Sequence, residues 1–288
     1  MTQEELANLY SDHRLSSSTL DFLELLKNYE FQIDYPEKFQ LINLVNRNNQ
    51  SIKKILNSYY EVGFTNTYNL NNPSVSNEIS NFKKINSNRT STRKYDENPL
   101  NFQQLSDFLS NFYFLSKKED VLIDNEIIIN NKRNIASGGG LYSTEIYIVN
   151  NNIDNLPPGI FRYNIFEKNL EEISNFLENP DDKILFNKYI VNRGDIDKKS
   201  IDFDNTSAYI IYTSILNKHS FKYKDFGILL SLLEIGEFIH SAYLTASLLD
   251  IGCCAFGGIM NNKLHKLMNL NNSLHLPLIC MSLGRKKM

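Results

Sequence analysis

Cysteine is scarce: three in 288 residues, two of them adjacent at Cys253 and Cys254. That count excludes the disulfide framework that staples small secreted domains. Adjacent cysteines close only a strained ring, so ordinary core positions are expected for both. Five histidines are scattered along the chain, and none falls at a spacing that would assemble a metal site with cysteine or carboxylate. An excess of either charge is also missing. A net charge of −3 carries no polyelectrolyte signal for nucleic acid, and no basic footprint stands out apart from Arg285, Lys286 and Lys287 at the end. The opening "MTQEELANLY" is acidic and helix-like, without the charged-then-apolar pattern of an export signal. A cytosolic, metal-free protein is expected.

Long apolar runs are limited to one. Residues 228–251, "ILLSLLEIGEFIHSAYLTASLLDI", are long enough to cross a bilayer. Glu234, Glu237 and His240 lie in its middle, where each ionisable group is costly in lipid. A helix buried in a large core or a subunit interface is therefore expected, and no membrane contact.

What the chain does have is ample material for a packed interior, 42% apolar and 12% aromatic residues. Its length is near the upper limit for a single core, so one main domain with an appendage, or two domains, are both open. Residues 1–80 read as a helical extension, with apolar residues at helical spacing in "TLDFLELLKNY" (19–29) and "FQLINLVN" (39–46). The Asn- and Ser-rich stretch 69–88 reads as a linker. From residue 81 the pattern changes. "NFQQLSDFLSNFYFL" is a helix with Asn101 and Gln104 at capping-box spacing. A polar stretch follows at 117–134, then an alternating strand at 145–149, a turn at Pro157-Pro158-Gly159 and a second strand at 160–163, which together predict a hairpin. "SAYIIYTSI" (207–215) is a third strand, "GCCAFGGI" a glycine-bounded turn, and "PLICMSLG" a closing strand. Helices and antiparallel-looking strands alternate without a βαβ rhythm, which predicts an α+β fold.

Only 12 glycines are present, yet three stand together at Gly138, Gly139 and Gly140, directly after Ser137. A backbone without Cβ atoms can lie flat against a planar heterocycle or adopt positive φ; a flexible turn is the alternative. The run precedes a strand and opens no helix, so it is not a dinucleotide fingerprint. "RTSTR" places Arg89, Ser91 and Arg93 around one loop, where two planar guanidinium forks and a hydroxyl suit a phosphate, although a solvated linker end has the same composition. Gly257 and Gly258 repeat the glycine device after the apolar helix, and Arg285 offers another cation. Together these features describe a ligand with a phosphate at one end and a flat ring at the other.

The order R-T-S-x-R, S-G-G-G-L-Y, P-P-G-I-F-R-Y, K-Y, L-x-E-x-G, G-x-x-x-x-G-G, L-G-R resembles the nitroreductase-fold flavoproteins over about residues 84–285. Within them it is most similar to the SagB-type azoline dehydrogenases of ribosomal peptide natural-product pathways. The resemblance implies an antiparallel-rich central sheet flanked by helices, with a long interface helix, in an intertwined homodimer that binds FMN between subunits. It further implies that Arg89, Ser91 and Arg93, helped by Arg285, hold the phosphate and ribityl chain. Ser137, Gly138 and Gly139 would contact the isoalloxazine ring, and Glu234, Gly236, Gly257 and Gly258 would line the rest of the pocket. Lys222-Tyr223 in "FKYKDFG" matches the adjacent Lys-Tyr pair of azoline dehydrogenases. Aromatising an azoline removes a hydride and a proton. Tyr223 would take the proton, with the Lys222 ammonium either stabilising the phenolate of a group that normally ionises near pH 10 or orienting the substrate. The implied partners are a cyclised precursor peptide and a cyclodehydratase or scaffold protein, with residues 1–80 suited to docking. An NAD(P)H-dependent reductase of nitro, quinone or dehydroamino-acid substrates, and a non-catalytic scaffold, are the alternatives. Three departures stand out: Ala136 and Ser143 replace prolines usual in the family, which is expected to loosen the turn, and His240-Ser241 replaces Gln-Asn.

Overall fold

The computed structural model describes residues 15–27, 65–71, 75–123, 126–190, 201–270 and 274–287. The expected helix at 39–46 lies outside them. The chain divides into two compact units, residues 1–28 with 85–288, and residues 29–84.

In the larger unit, α1 (Ser17–Leu26) begins where the Ser16 hydroxyl accepts from the Thr19 N–H at 3.3 Å. Its Leu23, with Leu15, is buried against Leu216, Ile228 and Leu276. α2 (Asn77–Asn88) starts in the smaller unit and occupies most of the stretch expected to be a linker. Asn and Ser suggest a linker, but residues 77–88 hold no Gly or Pro, Ser76 accepts from Ile79 N–H at 3.4 Å, and Glu78 sits in the first turn where a helix favours negative charge.

α3 (Phe102–Phe112) carries the expected capping box, Asn101 and Gln104 bonding each other's backbone N–H at 2.8 and 3.1 Å. The polar stretch that follows is a hairpin, β1 (Leu115–Ile123) and β2 (Glu126–Arg133), paired only with each other. Its charges, exposed on a two-stranded ribbon, hide the period-2 signal that a half-buried strand displays.

The remaining strands are β3 (Thr144–Asn150), β4 (Gly159–Asn164), β5 (Asn169–Asn175), β6 (Ala208–Ile215), β7 (Ile251–Phe256) and β8 (His275–Arg285). They form one antiparallel sheet in the order β5-β4-β3-β6-β8-β7, as expected for an antiparallel-rich α+β fold. Strand alternation divides the core in two. Ile146, Ile148, Ile210 and Tyr212 face one way, packing with Phe108 and Phe112 of α3 and Phe238 of the long helix α6 (Phe226–Leu248). Tyr147, Val149, Tyr209 and Ile211 face the other, against Phe186 of α4 (Pro180–Tyr189) and Leu264 of α7 (Asn261–Leu267). Between β6 and α6 lies the short helix α5 (Asn217–Tyr223).

"GCCAF", expected to be a turn, is the edge strand β7. Gly252 and Gly284 sit opposite each other in the ladder because a Cβ on Gly284 would lie 2.6 Å from the Tyr95 ring, and one on Gly252 2.9 Å from Thr92. Here glycine marks a close approach within a strand. Cys253, Cys254 and Cys280 are free and buried. Among the described residues α6 is the one helix long and apolar enough to cross a membrane; nine of its residues are buried in this fold, Glu234 among them.

Candidate active site

Two anchoring regions lie along α6. At its carboxyl-terminal end, Tyr243 gathers the arginine loop. Its hydroxyl bonds Ser91 Oγ at 3.1 Å and accepts from the Ala255 N–H at 2.9 Å, while the Arg89 guanidinium lies over its ring at 5.4 Å. The Thr92 N–H donates to the Cys253 carbonyl at 2.8 Å, which ties the loop to β7. Arg93 donates to the Ser91 carbonyl at 3.4 Å, and neither Arg89 nor Arg93 forms an ion pair among the described residues. Two guanidiniums within five residues, neither in an ion pair among the described residues, form a donor set that suits a phosphate. The Arg285 guanidinium donates to the Pro99 carbonyl at 3.2 Å and reaches Gln104 Oε1 at 3.5 Å, beside the cap of α3.

Towards the other end of α6 sits the glycine turn. Gly139 and Gly140 have φ of 66° and 68°, the left-handed region that side chains resist. Gly138 is needed for a different reason, since its Cβ would lie 2.8 Å from Leu230 Cδ1 on α6. A Cβ on Gly139 would meet the Tyr223 hydroxyl at 2.7 Å and Lys222 Nζ at 3.4 Å. The reactive pair expected from "FKYKDFG" thus stands against the glycine run, with Lys222 Nζ 5.2 Å from the Tyr223 ring centroid. Leu230 and Tyr243 are separated by about 20 Å of helix at 1.5 Å per residue. Gly236 between them is exposed with nothing within 4 Å of a Cβ, and the same holds for Gly257; Gly258 is half-buried.

Tyr223 is set by the α5–α6 corner. Lys224 adopts φ 49° and ends α5, and Gly227 lets α6 start close beneath it, because a Cβ there would lie 2.6 Å from the backbone of His219 and Ser220. Under the turn is a buried polar cluster that sequence reasoning missed. Glu234, expected to line the pocket, is only 2% exposed. Its Oε1 accepts from the Thr144 N–H at 2.7 Å and Ser143 Oγ at 3.2 Å. Among the described residues its Oε2 has no hydrogen-bond partner, and it lies 3.7 Å from His219 Nε2. His219 Nδ1 is 2.8 Å from Ser231 Oγ and Nε2 is 3.3 Å from Ser137 Oγ. Burial pushes the His219 imidazole below its ordinary value, and the nearby Glu234 carboxylate opposes that shift. Ser143, in the place of a proline usual in the family, bonds Glu234, Ser231 and Ser214 Oγ at 3.1–3.3 Å. Ser241 donates to the Phe112 carbonyl at 2.9 Å, tying α6 to α3.

Residues 87–285 match the model of the nitroreductase family, and the chain belongs to that family. Among solved structures, a chain of the E. coli microcin synthetase McbBCD complex with truncated pro-MccB17 bound is similar at 18% identity and TM-score 0.59. The alignment covers 96% of this chain and 100% of that one. Proteins described as nitroreductases from Ralstonia eutropha and Anabaena variabilis are similar at 18% and 20% identity, each with TM-score 0.51. They are covered over 82% and 34% of their own lengths, and cover 71% and 63% of this chain, so it spans about a third of the Anabaena protein. Curated proteins give no match by sequence.

Proposed function

We propose that this oxidoreductase-family chain is an FMN-dependent dehydrogenase that oxidises thiazolines or oxazolines within a peptide to the aromatic azoles. The observation that carries the reading is the seating of Lys222-Tyr223 against Gly139, more than 80 residues earlier in the chain. A reductase draws its proton from solvent; a dehydrogenase needs a base beside the ring it oxidises. Arg89, Ser91 and Arg93 would hold the FMN phosphate, and the backbone at Ser137, Gly138 and Gly139 would meet the flat ring. Gly236, Gly257 and Gly258 would leave room along the way. When bound, FMN supplies the acceptor for the hydride and is regenerated by dioxygen. Tyr223 takes the proton from the neighbouring ring carbon. Lys222 keeps its ammonium over the Tyr223 ring and holds that ring's orientation.

The substrate reading is supported by the family pair and by similarity over nearly the whole chain to a component of a peptide-modifying synthetase. On that reading, a cyclodehydratase or scaffold protein delivers the cyclised peptide in the cytosol, with residues 1–80 as the docking segment. The exposed Phe226, Leu229 and Leu233 on α6 suit a homodimer interface. The test is mass spectrometry of a cyclised peptide incubated with the yellow protein. Loss of two hydrogens per heterocycle, strongly slowed by Tyr223→Phe at unchanged flavin content, is expected. Gain of two hydrogens would make the protein a reductase, and a colourless preparation a scaffold.

A further inference from the structure

We propose that His219 is a positioning residue that seats the glycine turn, an inference that rests on reading that turn as the rim of the flavin site. One edge of its imidazole faces the turn and a carboxylate. Nε2 lies within hydrogen-bond distance of Ser137 Oγ, at 3.3 Å, and 3.7 Å from Glu234 Oε2. The Ser137 side chain therefore ties the turn to the ring. A buried carboxylate oxygen without a donor is costly, and His219 is the group that stands beside Glu234 Oε2. Turn, imidazole and carboxylate are therefore drawn together around one ring edge.

The opposite edge keeps the ring from turning away. Nδ1 is held at 2.8 Å by Ser231 Oγ, which also reaches the Gly227 carbonyl at 3.1 Å. Glu234 is fixed in turn by Thr144 and Ser143 at the start of β3. His219 and Tyr223 are four residues apart on α5 and share one helix face. That face meets the turn at two points, His219 under Ser137, Tyr223 beside Gly139. His219 takes no part in the chemistry; it acts by fixing the height of the turn relative to Tyr223.

The test is hydrogen exchange of the full-length wild-type, His219→Gln and His219→Asn proteins, without added cofactor. Glutamine can place a hydrogen-bonding amide atom where Nε2 stands, whereas asparagine reproduces only the Nδ1 edge. The reporters are the Gly140 and Tyr142 amides, which donate to the Ser137 carbonyl and Ser137 Oγ at 3.0 and 2.9 Å. His219→Asn is expected to speed their exchange about tenfold, as for the loss of one buried hydrogen bond, and His219→Gln by less than about twofold. Exchange in β3 and β6 stays unchanged in both. Equal rates in all three proteins, or the same acceleration in both variants, would overturn the inference. Should His219→Asn fail to fold, Ser137→Ala takes its place: faster exchange at Gly140, whose acceptor is the Ser137 backbone carbonyl and survives the substitution, supports the clamp, and an unchanged rate there refutes it. With FMN added, the visible spectrum of bound flavin shifts in the asparagine variant and not in the glutamine variant. A wild-type chain that takes up no FMN would count against the flavin reading, while the exchange comparison still decides the role of His219.

Discussion

Replacing Gly139 with alanine places one methyl group into the contact on which the catalytic reading depends. Two consequences can be worked out separately. The left-handed backbone at φ 66° costs an L-residue about 1–2 kcal/mol. For a unit of this size that lowers the melting temperature by about 2–8 °C. The new Cβ also starts 2.7 Å from the Tyr223 hydroxyl, against 3.4 Å where ordinary contact begins, so the hydroxyl must retreat by 0.7 Å. Tyr223 can do this cheaply, because its hydroxyl is the far end of a side chain. The fold therefore survives, but the base is misplaced, and a displacement approaching 1 Å is worth about 100-fold in rate. The assay is the rate of two-hydrogen loss from a cyclised peptide, measured at matched flavin content in wild type, Gly139→Ala, Tyr223→Phe and the double variant. If the methyl group acts through the hydroxyl, it adds nothing once the hydroxyl is gone. Full activity in Gly139→Ala, or an equal further loss in the Tyr223→Phe background, would refute the reasoning.

Three other outcomes follow from the geometry. Burial lowers the His275 imidazole to about 4 from its ordinary 6.5, so the folded chain resists a proton that the unfolded chain accepts. Stability is present above pH 6.5 and is lost as pH falls towards 4, by about 3 kcal/mol at 1.36 kcal/mol per unit; urea unfolding of wild type against His275→Gln measures it. Gly227→Ala drives a Cβ to 2.6 Å from the His219 and Ser220 backbone, and thermal melting should report a loss of about 1–3 kcal/mol from overpacking. Arg89→Ala and Arg93→Ala should each weaken FMN binding about 10- to 100-fold in a fluorescence titration, the scale of one charge-assisted contact, with little change in melting of the cofactor-free chain.

Much of the fold could be read from periodicity. β3, β4, β6 and β8 show through their apolar runs, α3 through its capping box, and α6 through unbroken apolarity around a buried glutamate. β1 and β2 were hidden by charges on an exposed ribbon, and β7 by glycines that serve a packed tyrosine and not a bend. The short helices α4, α5 and α7 are too brief for a helical period to declare itself. The site was legible as three separate motifs, around Arg89, Gly139 and Tyr223. What joins them was not, because Tyr243, Leu230 and His219 act through contacts between residues far apart in sequence. Ser143 could be noticed only as a missing proline, while its buried hydroxyl bonds are a property of the folded sheet and helix.

The leucines of the amino-terminal segment decide how far the chain can be shortened. Leu15 and Leu23 cover Leu216 and Ile228, which bracket the helix bearing Tyr223, and the Ser16 amide is bonded to Asp225 at 2.9 Å. Starting expression at residue 80 would strip the apolar floor from that corner. Shortened versions meant to dispense with a docking region therefore need to retain this helix, or a fall in turnover will be blamed on a lost partner when the cause is a damaged foundation.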